Sequence, residues 1–196
     1  GCSNITAMAV REDTVYLAAD GACVLACSLD GMLLWKQEAP AIDRFFSAQD
    51  GRLLAWSRQE QVLYLLGDGA IRRLCALPDL FCTGIERLYP GDQTPYDCIV
   101  CANDAFFGWS IAEEAVTQLF TCDVVGLYAG DILDFCSLGN DRYLGLEWAP
   151  SASGEPGCTL FWLTPVEGKL PEKRTIRVAG SRSSIFSMAV RDFSSL

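Results

Sequence analysis

The sequence predicts an all-β protein, a β-propeller of about four four-stranded blades, and three observations lead there. Short runs of alternating apolar residues recur along the 196 residues, the period-2 signature of half-buried strands. The runs group in fours, and the groups restart near Ile5, Ile42, Ile85 and Ile132, at intervals of 37, 43 and 47 residues. A period of about 40–50 residues made of four strands is that of a propeller blade. Between the runs stand Asp-Gly pairs, whose readiness for positive φ suits two-residue hairpin turns.

Blade 1 reads as strands over Ile5–Val10, Thr14–Ala19, Ala22–Ser28 and Met32–Gln37, with Asp20-Gly21 and Asp30-Gly31 as turns. Blade 2 repeats the plan with Ile42–Ser47, Arg52–Trp56, Gln61–Leu66 and Ala70–Cys75, turning at Asp50-Gly51 and Asp68-Gly69. Turn chemistry and hydrophobic pattern agree, which strengthens both. Blade 3 takes Ile85–Tyr89, Tyr96–Cys101, Ala105–Ser110 and Ala115–Phe120, and its polar loop Pro90–Pro95 belongs on the surface. Blade 4 takes Ile132–Ser137, Arg142–Trp148, Gly157–Thr164 and Lys173–Val178, interrupted by the long aperiodic segment Ala149–Pro156. The propeller domain therefore spans 1–179. In 180–196 the pattern changes: Ile185, Met188, Ala189 and Phe193 share one helical face, with Ser183 or Ser184 as N-cap. That segment is a turn and an amphipathic helix, read as the possible start of a following domain.

Charge and composition exclude several function classes. Fifteen Lys and Arg stand against 25 Asp and Glu, a formal net charge of −10, which repels nucleic acid unless a basic patch opposes it. Arg72-Arg73 and the Lys169–Arg182 stretch are too short for that. No stretch of 18 apolar residues is present to span a membrane. The opening Gly1-Cys2-Ser3 resembles the end of a bacterial lipobox, so membrane attachment would come only through a lipid anchor at Cys2. Strand-like Ile5–Val10 follows at once, however, where lipoproteins place a linker, and a processing remnant explains the same residues. Asn4-Ile5-Thr6 is a glycosylation sequon by letters alone.

The chain contains no histidine. Ser-His-Asp and Cys-His catalysis and the usual transition-metal sites go with it. Its ten cysteines (2, 23, 27, 75, 82, 98, 101, 122, 136 and 158) lie mostly in apolar strand runs and read as small buried hydrophobes with reduced thiols. Cys98-Ile99-Val100-Cys101 is a CxxC motif, yet residues three apart on a strand point to opposite faces, so core packing is expected in place of a zinc clip. Ser28–Trp35 approaches the Asp-box turn of sialidase-like propellers, but Gly31 falls one place early and an Asp-Gly hairpin accounts for it.

A glycosidase needs only two suitably spaced carboxylates. Asp92, Glu113, Glu114, Asp141 and Glu147 are the candidates, set against a solvated acidic surface as the simpler reading. Trp56, Trp109, Trp148 and Trp162 are expected to pack between blades before they stack on sugars.

Asp20–Lys36, with Ala26-Cys27-Ser28-Leu29-Asp30-Gly31 leading into a strand that carries Trp35, resembles the repeat of PQQ-like (quinoprotein-like) propellers. The match covers this one blade. The dehydrogenases of that group place adjacent cysteines over the quinone and no two cysteines are adjacent here, so the resemblance implies the cofactor-free envelope scaffolds. Thr175–Gly180 followed by Met188–Phe193 resembles the opening strand and helix of a bacterial extracellular solute-binding protein of the sugar-binding type, over about the last 22 residues. Together these imply a non-catalytic binding or scaffold propeller of the bacterial cell envelope, associated with the sugar-binding lipoprotein of an ABC importer. The alternatives are a stand-alone envelope interaction scaffold and a carboxylate-dependent carbohydrate-active enzyme. A protein partner or a small solute such as a sugar is expected, with no cofactor and no metal. No motif names a ligand-binding residue, and the cysteine content also fits a cytoplasmic location. Four blades form either a small closed ring or part of a larger one, and an open arc would favour a homodimer.

Overall fold

Period-2 patterning becomes pairing once neighbouring runs find each other across tight turns. The computed structural model describes residues 4–67, 69–75, 77–81, 83–128, 131–148, 157–166 and 169–178. Blade 1 is β1 (Ile5–Arg11), β2 (Thr14–Ala19), β3 (Cys23–Ser28) and β4 (Leu33–Glu38). Blade 2 is β5 (Arg44–Ser47), β6 (Leu53–Ser57), β7 (Val62–Gly67) and β8 (Ala70–Cys75). Blade 3 is β9 (Arg87–Pro90), β10 (Cys98–Ala102), β11 (Ala105–Ser110) and β12 (Ala115–Thr121). Blade 4 is β13 (Ile132–Gly139), β14 (Arg142–Trp148), β15 (Cys158–Val166) and β16 (Lys169–Val178).

Every blade is an antiparallel meander in sequence order, and the four sheets make a four-bladed β-propeller. The first strands pack side by side, β1 on β5, β5 on β9 and β9 on β13, so they line the axis and the fourth strands lie outermost. Two single 3₁₀ turns, Asp79–Phe81 and Asp123–Val125, interrupt the all-β plan.

Alternation places each blade's two side-chain sets against two different neighbours. Ala7, Ala9, Tyr16, Ala18, Val24 and Trp35 of blade 1 meet Phe45, Leu53, Ala55 and Ile71 of blade 2. On the reverse of blade 2, Phe46, Leu54, Trp56 and Leu63 meet Leu88, Cys98, Val100 and Trp109 of blade 3. Blades 3 and 4 share an aromatic seam of Tyr89, Phe106, Phe120, Phe135, Tyr143 and Phe161, with Phe106 and Phe135 centroids 4.6 Å apart. Cys98 belongs to one seam and Cys101 to the other, as the strand periodicity of the CxxC requires.

The expected strands are all present, with ends shifted by a few residues. Ile42 and Ile85 precede their strands: both are buried plugs in the crossovers, and the Ile85 N–H donates to the side chain of Gln61. β16 begins at Lys169, earlier than expected, because the pairing runs down to Val166 opposite Lys169. Thr175 and Ile176 pair with Phe161 and Leu160. They complete blade 4, within the strand expected over Lys173–Val178. The boundary at 179, the helix expected in 180–196, the loop 149–156 and Cys2 lie outside the described residues.

Candidate functional site

Strands that alternate in direction put alternate connections at opposite ends. One rim carries the β1–β2 and β3–β4 hairpins and their counterparts. The opposite rim carries the second hairpin of each blade and the crossovers that return the chain from the outermost strand to the axis. The crossover between Cys75 and Arg87 and that between Thr121 and Ile132 contain the two 3₁₀ turns, and each passes beside the second hairpin of its own blade.

Both junctions are clefts, at equivalent places in the repeat. The first, of about 410 Å³, is lined by Glu60, Gln61, Arg73, Asp79 and Thr83 over Phe81. The second, of about 540 Å³, is lined by Asn103, Asp104, Thr121, Cys122, Asp123 and Tyr128. Amide side chains stitch hairpin to crossover. Gln61 Nε2 donates to the carbonyls of Arg58 at 2.7 Å and Ile85 at 3.1 Å. Asn103 Nδ2 donates to the Leu80 carbonyl at 3.2 Å, and the Thr83 hydroxyl bonds Asn103 Oδ1. The Cys122 N–H donates to the Asp104 carbonyl at 2.7 Å.

The rim is acidic. Glu60, Asp79, Asp104 and Asp123 contribute carboxylates, against Arg73 in the first cleft. Hydrogen bonds from the Thr121 side chain and the Val124 N–H hold the Asp123 carboxyl below its ordinary value. Tyr128 leaves 76 % of its surface to solvent at the edge of the second cleft. A third cleft, of about 410 Å³, opens between blades 2 and 3 over Trp109, Ile111, Leu77 and Pro78. Burial, and then Glu114, push the Cys75 thiol up in that cleft, which makes it a poor nucleophile.

The axis holds a separate polar group. Arg44 of β5 reaches across β9 to Asp134 of β13, with Nη2 and Oδ1 3.3 Å apart. On the way its guanidinium lies 5.5 Å from the Tyr89 ring centroid. Burial raises the Tyr89 hydroxyl far above the usual phenol range, and that oxygen has no hydrogen-bond partner within the described residues. The Asp134 carboxylate also accepts the Phe135 N–H at 3.0 Å, so the pair holds three blades in register.

The carboxylates proposed from sequence are not brought together. Asp92, Glu113, Glu114 and Asp141 are exposed on hairpin-rim connections, whereas Glu147 is buried in β14 and ion-paired to Lys173 at 2.9 Å. Trp56 and Trp109 are core residues and Trp148 and Trp162 are half-buried. Ser28 closes its turn by accepting the Met32 N–H at 3.1 Å, with Trp35 edge-on to Tyr16. The described cysteines are all free thiols, and no group of three potential metal ligands gathers among the described residues. Asp104, Asp123 and Tyr128 went unmarked in the sequence. The available signal was Asn103-Asp104, a hairpin pair with φ of 52° and 55° that stands where blade 1 has Asp20-Gly21.

No protein-family profile and no curated protein matches this sequence. Solved structures do. The extracellular domain of a one-component system from B. thetaiotaomicron superposes with a TM-score of 0.53 at 13% identity, over 95% of this chain and 23% of that one. The WD40 repeats of RRP9 superpose with a TM-score of 0.54 at 13% identity, over 90% of this chain and 51% of that one. A virginiamycin B lyase from Staphylococcus aureus aligns at a TM-score of 0.47 and 11% identity, over 89% and 85% of the two chains, too distant to bear on this one. These likenesses carry the propeller fold alone. The chain thus spans about a quarter and about half of the first two proteins. No helix among the described residues is long and apolar enough to cross a membrane.

Proposed function

We propose that this chain is a non-catalytic binding propeller of the bacterial cell envelope that engages its partner through the crossover rim. The observation that carries this reading is the repeated acidic cleft at the junction of second hairpin and crossover, with Asp104, Asp123 and the exposed Tyr128 in one copy and Glu60 and Asp79 in the other. Carboxylates of this kind accept hydrogen bonds from cationic side chains, so a basic segment of a protein partner is the occupant favoured. The location rests on the extracellular neighbour in the fold comparison and on the quinoprotein-like repeat of blade 1. Association with the sugar-binding lipoprotein of an importer is the finer form of the proposal, and it rests on the resemblance of the tail sequence Thr175–Gly180 and Met188–Phe193 alone.

Tyr128 beside Asn103, Asp104 and Thr121 favours a second reading, in which a sugar stacks on the ring and shares hydroxyl bonds with its neighbours. Titration of the purified chain with a lysine-rich peptide and with a panel of oligosaccharides, read by calorimetry, separates the two. Binding lost in Asp104→Asn/Asp123→Asn but kept in Tyr128→Ala supports the protein partner, and the reverse supports the sugar. Binding unchanged in both variants overturns the rim as the site.

A further inference from the structure

We infer that Cys101 and Cys122 form a dithiol that a small disulfide oxidises to an intramolecular Cys101–Cys122 bridge, with Cys122 attacking and Cys101 resolving. Strand periodicity puts the two on one face. Cys101 of β10 lies opposite Phe106 and Phe106 opposite Phe120. Cys122 follows Phe120 by two residues, so all four side chains point into the seam with blade 4. The Cys122 N–H donates to the Asp104 carbonyl at 2.7 Å, which carries the ladder one step past β12 and sets Cys122 beside the second hairpin. There the two thiols hydrogen-bond to each other. Other cysteines are placed differently: the thiols of Cys23 and Cys136 donate to the carbonyls of Ala19 at 3.5 Å and Leu144 at 3.7 Å, and Cys98 lies in the opposite seam.

Access assigns the roles. Cys101 is fully buried in β10 and cannot meet a reagent first. Cys122 is buried too, but it forms part of the wall of the cleft of about 540 Å³. The hydrogen bond from Cys101 holds the Cys122 thiol below its ordinary value, against burial and the carboxylates of Asp104, Glu86 and Asp123. The same bond, with burial, pushes the Cys101 thiol up. Cys122 is therefore the readier thiolate, and the thiolate is the nucleophile. The cleft also selects the reagent, because Asp104 and Asp123 in its wall attract a cationic disulfide and repel an anionic one.

The chemistry is thiol–disulfide exchange. Cys122 Sγ attacks one sulfur of the reagent, the reagent's S–S bond breaks, a mixed disulfide forms on Cys122, and the departing thiolate takes up the proton that Cys122 gave up. Cys101 Sγ then attacks Cys122 Sγ, the mixed disulfide breaks, and the second thiolate leaves with the Cys101 proton. Two protein thiols are oxidised and one reagent disulfide is reduced to two thiols. A disulfide needs its sulfurs about 2.0 Å apart, so the thiols must close up from hydrogen-bond separation, and the movement falls to the crossover. β10 is held on both sides, with Cys101 paired to Arg87 and Phe106. Cys122 instead heads the 3₁₀ turn, its carbonyl accepting the Val125 and Leu127 N–H groups at 3.3 and 2.8 Å. On the reading that the crossover rim binds a partner, the bridge shifts the turn that carries Asp123 and so alters the second cleft; the bridge itself does not depend on that reading.

Cystamine, a small dicationic disulfide, tests this on the folded chain. After exposure at neutral pH the remaining free thiols are alkylated in denaturant, and the chain is cleaved before each Asp. Cys98 and Cys101 then lie in the fragment 97–103 and Cys122 in the fragment 104–122. The expected product is these two fragments joined by a bond that reduction releases. The link survives in Cys98→Ala and is lost in Cys101→Ala, where Cys122 keeps half of the cystamine as a mixed disulfide; in Cys122→Ala, Cys101 stays a free thiol. Where a variant fails to fold, the wild-type map decides alone, since fragmentation of 97–103 tells Cys98 from Cys101. Alkylation of both Cys101 and Cys122 in the treated wild-type chain, a link through Cys98, or a cystamine adduct on Cys101 in Cys122→Ala would each overturn the inference. The map reads the dithiol alone, so a rim that binds nothing leaves its result intact.

Discussion

Substituting alanine for Gly145 should expose how little room the blade 3–4 seam leaves. A Cβ built there falls 2.0 Å from Cζ of Phe161 and 2.4 and 2.6 Å from its Cε atoms, against an optimal carbon–carbon separation of about 3.5–4.0 Å. The ring would have to retreat by about 1.5 Å, but Phe161 is fully buried. Phe135 stands 6.2 Å from it on one side and the Lys173 ammonium 5.3 Å from its centroid. Gly145 is outside the left-handed region, so the cost is steric. Overpacking of this kind costs about 1–3 kcal/mol or more, against which the stiffer unfolded chain returns about 0.4–1 kcal/mol. A net loss of about 2 kcal/mol lowers the Tm by about 4–8 °C for a domain of this size. Gly108→Ala is the control. Its Cβ would come within 2.3 Å of the Tyr96 ring, yet Tyr96 is only partly buried on a surface loop and can swing outward. Calorimetric unfolding of the two variants decides the matter: a neutral Gly145→Ala, or a larger loss from Gly108→Ala, refutes the packing argument.

Three further outcomes follow from buried polar groups. Asp97 accepts the Gln49 N–H at 2.8 Å and the Ile111 N–H at 2.7 Å through its two oxygens; Asp97→Asn sets an amide donor against one of those N–H groups and should cost about 2 kcal/mol in urea unfolding. Lys173→Met leaves Glu147 buried without its cation and removes a donor from the Gly126 carbonyl at 2.9 Å, an expected loss of about 3 kcal/mol that Glu147→Gln in the same chain should partly reverse. Burial, with Glu60 beside Tyr64 and Asp141 beside Tyr143, pushes both phenols up to about 12, whereas the unfolded chain releases those protons near about 10. Between these values the unfolded state binds fewer protons, so stability is complete below pH about 10 and falls as pH rises toward 12. Absorbance at about 295 nm against circular dichroism should show these phenolates appearing only as the sheet signal is lost.

The blades were legible because a strand, its turn and its neighbour repeat the same physics four times. Asp20-Gly21 adopts φ of 56° and 64°, as an Asp-Gly hairpin demands, and the CxxC divides between two seams for the reason strand geometry gives. Strand ends were less legible. Ile42 and Ile85 look like strand residues, yet burial in a crossover satisfies an isoleucine as well as a sheet does. The rim clefts were hidden for a different reason. Asp104, Asp123 and Tyr128 come from separate turns, and only the return of the chain past its own hairpin brings them together. Asp97 and Asp134 show the same limit from within: each is one acid among many until another blade offers the N–H of Gln49 or the guanidinium of Arg44.

That division explains why binding capacity should gather at one end of the propeller. Hairpins such as Asn140-Asp141, with φ of 53° and 56°, spend their residues on reversing direction and leave no concavity. The crossovers must instead carry the chain from the outermost strand back to the axis, and the stretch between Cys75 and Arg87 has room for a 3₁₀ turn whose Phe81 is anchored 5.5 Å from Phe107. The same span leaves polar side chains with nothing behind them but the next hairpin. Acidic clefts therefore recur at the crossovers that follow blades 2 and 3. A partner with repeated basic segments would then gain from engaging several at once, with the linker between its segments setting the effective concentration.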